Sequence, residues 1–148
     1  MKRAYADIPE GQVHYATAGS GEPFILLHES PRSWRAYARL IPILAKTHWV
    51  IAMDTLGFGD SDPHPGASDM GDYAESVAHF MDSLGIDKAN VMGDHTGACI
   101  ALELAATRPE RVSRLVLAGL PFWISTEERV ARLEQTRGRN WDTQVDDG

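Results

Sequence analysis

The stretch Gly93-Asp94-His95-Thr96-Gly97 sets an imidazole between two glycines, with a carboxylate before it and a hydroxyl after it. Histidine can take a proton from water near neutral pH, and it can itself attack an activated acyl group. A second stretch, LLHESP from Leu26 to Pro31, adds His28 and Glu29. A third, DTLGFGDSD from Asp54 to Asp62, sets carboxylates among glycines that permit positive φ and tight turning. Each has a plainer reading. A histidine at a strand end is more often a satisfied structural donor, and for the third stretch the structural reading is preferred.

All three follow short apolar runs of strand character. PFILLH and HWVIAMD are unbroken, as in strands buried on both faces, and ANVM precedes the His95 stretch. AYADI and QVHYATAG flank the turn PEG and predict an antiparallel hairpin at the start of the chain. Helices are predicted between the runs. One spans Trp34 to Lys46, with Pro42 ending or kinking it because the ring removes a donor. A second spans Asp69 to Leu84, where Val77, Phe80, Met81 and Leu84 keep helical spacing and Gly85 is placed as C′. A third runs from Thr96 to about Arg108, and its stripe Gly97, Ala101, Ala105 permits close approach to a sheet. It is expected to be the most buried helix. The strand RLVLAG follows, the chain turns polar after AGLPFW, and a boundary is placed near Pro121. Ser125 and Glu128 form a capping-box signal for one more helix.

The alternation of strand and helix patterns predicts an α/β fold with a mostly parallel sheet flanked by helices. Three chemistry-bearing stretches then lie at the ends of parallel strands, where open α/β sheets place ligands. Composition narrows the function. The chain has 148 residues and a formal net charge of −7, from 21 acidic and 14 basic side chains, which disfavours a polyanion such as nucleic acid. No apolar run approaches the roughly 18 residues of a membrane span, and a cytoplasmic address is expected. The single cysteine, Cys99, is read as a packing residue.

Together the motifs resemble the N-terminal half of the α/β-hydrolase fold, across Ala4 to Pro121. LLHESP resembles that family's His-Gly-x-Pro turn, DTLGFGDSD its Asp-x-x-Gly-x-Gly-x-Ser loop, and GDHTG its nucleophile elbow, Gly-x-Ser-x-Gly. The resemblance implies a core over 1–120 and the beginning of a helical cap over 121–148. It also implies hydrolysis of an ester or related carbon–heteroatom bond, with no organic cofactor and a small-molecule substrate. The backbone N–H groups of Ser30 and Thr96 occupy the positions of the oxyanion donors.

Two departures stand out. His95 replaces the serine, cysteine or aspartate nucleophile, and Asp94 is one position too early to serve instead. His95 is read three ways: covalent nucleophile, general base or binding residue, and non-catalytic replacement. Glu29 replaces the glycine of the His-Gly-x-Pro turn. In the family's sheet the two strands are neighbours, so Glu29 is expected to hydrogen-bond His95, fixing its tautomer. His28 and Asp94 lie near as pocket candidates, but no ligand spacing is diagnostic of a metal, and none is assigned. The family's acid and histidine follow later strands, whereas the six histidines here stand at 14, 28, 48, 64, 79 and 95. The competing expectations are a non-catalytic binding protein that keeps the pocket, and a fragment without independent function. RLVLAG would leave an open sheet edge, which suggests either pairing of two copies along it or a longer natural chain.

Overall fold

The computed structural model describes residues 1–66 and 69–120. Six strands form one mixed sheet: β1 (Lys2–Ile8), β2 (Gly11–Ala18), β3 (Glu22–Leu27), β4 (His48–Met53), β5 (Ala89–Asp94) and β6 (Val112–Ala118), in the order β1-β2-β4-β3-β5-β6. The expected hairpin is β1 and β2, closed by Ile8 opposite Gly11. It joins β4 antiparallel, while β4, β3, β5 and β6 run parallel to their neighbours. Among the described residues β6 is paired on one side only, and Val116 is exposed on it.

The unbroken apolar runs mean what the pattern suggests, because both faces of the central strands are buried. Ile25, Leu27, Ile51 and Met53 face one core with Phe80, Met81, Ile100 and Leu104. Their alternates Leu26, Val50 and Ala52 face a second core with Trp34, Tyr37 and Ile41. The first core is roofed by α2 (Met70–Ser83) and α3 (Thr96–Thr107). Asp69 caps α2 through the amides of Gly71 and Asp72, and Gly85 follows it at φ 69°.

The second core is roofed differently from expectation. In place of one helix from Trp34 to Lys46 there is a 3-10 turn, Trp34–Tyr37, and a one-turn helix, α1 (Ile41–Leu44). Pro42 sits in the first turn of α1, so it opens a helix instead of ending one. A continuous helix would need an N–H at 42 and room for the ring beside the carbonyl of Ala38; the first turn needs neither.

Nor is α3 the most buried helix. Its inner face is buried at Gly97, Ala98, Ile100, Ala101 and Leu104 while Leu102, Ala106 and Thr107 are exposed; α2 is buried to much the same degree, at Ala74, Ser76, Val77, Ala78, Phe80 and Met81, with Asp82 and Ser83 exposed. A stripe of small residues sets how close a helix lies to a sheet, not how much of its outer face is covered. Cys99 is half-buried on α3, and burial pushes its thiol pKa up. No described helix is long and apolar enough to cross a membrane. The helix expected from Ser125 and the cap segment lie outside the described residues.

Candidate functional site

β5 ends at Asp94 and α3 starts at Thr96, which leaves His95 to turn the chain. It does so at φ 47°, ψ −108°, and is the one non-glycine residue with positive φ among those described. Such a conformation costs on the order of 1–3 kcal/mol and persists only where the surroundings enforce it. The flanking glycines enforce it by allowing contact of backbone on backbone. A side-chain carbon at Gly93 would lie 2.0 Å from the Gly97 carbonyl oxygen, and one at Gly97 would lie 2.1 Å from that of Leu27. The His95 N–H donates to Ala118 O at 3.0 Å, tying the turn to the end of β6.

The imidazole projects from the carboxyl edge of the sheet, 58% exposed. Its Nδ1 is 3.0 Å from Asp94 Oδ1 and 3.6 Å from Glu29 Oε2. An ionised carboxylate only accepts, so Nδ1 carries the proton and donates to Asp94. At 3.6 Å the Glu29 contact is an ion-pair distance beyond hydrogen-bond length, which corrects the expected partner from Glu29 to Asp94. Glu29 is held by Arg32, whose Nε is 3.0 Å from Oε1. Among the described residues no protein group bonds Nε2 of His95.

Ser30 and Thr96 meet at the base of this site, and the Ser30 N–H donates to Thr96 Oγ1 at 3.2 Å. One of the two expected backbone donors is therefore covered by its neighbour's hydroxyl. His28 is not a pocket group. It is 1% exposed; Nδ1–H donates to Glu29 O at 2.8 Å and Nε2 accepts from Thr55 N at 3.1 Å. Burial is the largest influence on it and lowers its pKa, so the neutral ring braces the two loops.

The Asp54 loop is structural, as its glycines suggest. Buried Asp54 accepts from Trp34 N at 2.6 Å, His14 Nδ1 at 2.9 Å and Asp60 N at 3.1 Å. Gly57 and Gly59 have φ of 86° and 58°. An open groove of about 410 Å³ runs beside this loop, lined by Pro31, Arg32, Ser33, Arg35, Ala36 and Gly59. Two sets of donor atoms lie within 4.8 Å of one another, close enough to share a cation: Glu29, Asp94 and His95, and His14, Asp54 and Asp60. From outside these sets, Arg32 engages Glu29 in the first and the Trp34 N–H engages Asp54 in the second.

Sequence reasoning missed Arg32, Tyr37 and Gly119. Arg32 stands three residues after Glu29, a spacing that could have signalled the pair. The Tyr37 hydroxyl donates to Leu27 O at 2.8 Å, and burial pushes its pKa up. Gly119 had no signal beyond being a glycine after a strand.

A sequence model of the alpha/beta hydrolase fold matches residues 22–145. The chain is 39% identical over 106 residues to a soluble epoxide hydrolase of Corynebacterium sp. (strain C12), covering 72% of this chain and 37% of that protein. It is 33% identical over 118 residues to haloalkane dehalogenase 2 of Mycobacterium bovis (strain ATCC BAA-935 / AF2122/97), covering 79% and 41%. Among solved structures, an epoxide hydrolase without ligand superposes with a TM-score of 0.77 at 33% identity, covering 95% of this chain and 53% of that one. The chain thus spans about two-fifths of the length of these curated relatives.

Proposed function

Since the chain belongs to the α/β-hydrolase fold family, we propose that it carries the nucleophile-elbow half of a hydrolytic site for an ester or related carbon–heteroatom bond. In this reading residues 1–120 supply the core and 121–148 the beginning of a cap. The observation that carries it is His95 at positive φ, with Nδ1 on Asp94 and Nε2 without a hydrogen-bond partner among the described residues. His95 acts as general base. Nε2 takes a proton from water while the water oxygen forms the new bond to the carbonyl carbon. The displaced π electrons settle on the carbonyl oxygen, facing the backbone N–H groups of Thr96 and Ser30, the latter once the Thr96 hydroxyl swings aside. Collapse expels the alkoxide, which takes the proton back from the imidazolium. Both carboxylates face Nδ1, Asp94 at 3.0 Å and Glu29 at 3.6 Å, and hold the ring with Nε2 available to the water. The relatives named epoxide hydrolase and haloalkane dehalogenase support a reaction of this class.

One observation favours a second reading. The Ser30 N–H is already satisfied by Thr96 Oγ1, which suits a site that binds small acyl compounds without turning them over.

Initial rates of p-nitrophenyl acetate hydrolysis by the parent, His95→Ala and His95→Ser test the first reading. Five other histidines supply a background rate, so the difference between parent and His95→Ala is the quantity that matters. A general base contributes roughly 10²–10⁴-fold. Equal rates in the parent and His95→Ala would overturn the hydrolytic reading, and saturable binding of the ester without turnover would favour the second.

A further inference from the structure

The end of β6 meets the His95 ring at a residue with no side chain. Gly119 has φ 57°, and a carbon placed on its Cα would lie 2.6 Å from both Cε1 and Nδ1 of His95 and 3.2 Å from Asp94 Oδ1. Unbonded carbon atoms rest at about 3.5–4.0 Å, so a methyl group at 119 and the imidazole cannot both keep these places. The preceding residue holds the other end of the same unit, because Ala118 O accepts the His95 N–H. The strand end thus pins the backbone of His95 with one residue and clears space for its ring with the next.

We propose that Gly119 is a positioning residue. Its missing side chain lets the imidazole lie across the strand end, with Nδ1 on Asp94 and Nε2 left without a hydrogen-bond partner among the described residues. The catalytic meaning rests on the hydrolytic reading above, but the ring placement does not. A plainer cause of glycine here is its positive φ, and the fold supplies the control. Gly85 at φ 69° and Gly57 at φ 86° carry the same backbone preference with nothing within 4 Å of an added carbon. Alanine at those two sites meets the backbone penalty alone; alanine at 119 meets the ring as well.

The test is nitrogen NMR of protein labelled with ¹⁵N-histidine, comparing the parent, Gly119→Ala and Gly85→Ala. The shifts of Nδ1 and Nε2 report which nitrogen carries the proton in the neutral ring. The expected result is a His95 signal dominated by the Nδ1–H form in the parent and in Gly85→Ala, with that dominance lost in Gly119→Ala. Unchanged His95 shifts in Gly119→Ala, or an equal change in Gly85→Ala, would overturn the proposal. If Gly119→Ala does not fold, the double variant His95→Ala/Gly119→Ala decides, because removing the ring removes the clash. Recovery of folding there supports the contact, and failure of both variants overturns it. A displaced ring in a protein with no His95-dependent esterase rate would leave the positioning role standing and sink the hydrolytic reading alone.

Discussion

Asp94 accepts the Nδ1 proton of its own chain neighbour, His95, at 3.0 Å, while Glu29 reaches the same nitrogen only at 3.6 Å from a different strand end. The two carboxylates should therefore contribute unequally. A charge-assisted hydrogen bond contributes about 1.5–3 kcal/mol, and the exposure of His95 reduces that toward the lower end. Asp94→Ala should lower the His95-dependent esterase rate roughly tenfold, and Glu29→Gln by less than about threefold. Rates measured side by side check this; a larger loss in Glu29→Gln would show that the 3.6 Å contact shortens when substrate binds.

Thr96 Oγ1 and a bound oxyanion would compete for the Ser30 N–H. Thr96→Val keeps the shape and removes the acceptor, so stability should fall by about 0.5–1.5 kcal/mol. Affinity for an acyl-phosphonate should rise by about two- to tenfold, the same energy released at the site. Calorimetric titration of both proteins reads the difference. Equal affinity would mean that ligands do not use the Ser30 amide.

His28 gives the fold a pH dependence with a definite sign. Burial lowers its pKa from the ordinary 6.5. As pH falls below that value the unfolded chain binds a proton that the folded chain refuses, so stability present above it is lost on acidification. The slope from this one group is at most about 1.4 kcal/mol per pH unit. His28→Gln removes the titration, so urea-derived stability of the variant should depend less steeply on pH from about 6.5 downward. Parallel curves for variant and parent would show that the buried ring is protonated as readily as a free one.

The central strands and the two long helices were legible because each carries a period that only one burial geometry satisfies. The segment 34–46 misled because its apolar pattern fits a helix while Pro42 forbids a continuous one, and the choice lies with backbone hydrogen bonds that hydrophobicity does not record. The same limit applies at the site. His95 stood out because the flanking glycines frame it, yet its partner was misassigned. Successive side chains on a strand point to opposite faces, which argues against an Asp94–His95 bond. The positive φ at 95 turns the ring back onto Asp94, and a residue pattern does not show that rotation. Gly119 meets His95 across strand pairing, so no local spacing could have announced it.

The close approach of α3 to the end of β3 makes the last prediction. A carbon added at Gly97 would stand 2.1 Å from Leu27 O and 2.8 Å from His28 O. Both are backbone atoms at the end of β3, and Leu27 O also accepts from Tyr37, so neither can yield as a flexible side chain would. Gly97→Ala must therefore push α3 away from the sheet, carrying with it His95 at its start and the Thr96 hydroxyl that meets Ser30. The expected cost is about 3 kcal/mol or more, the upper range for overpacking a core. Ala106→Gly, at an exposed position of the same helix, should cost only about 1 kcal/mol through helix propensity. Urea denaturation of the two variants separates the causes. If Gly97→Ala were as stable as the parent, the helix would not lie against the strand as closely as the fold requires, and the turn that presents His95 would have to be held by something else.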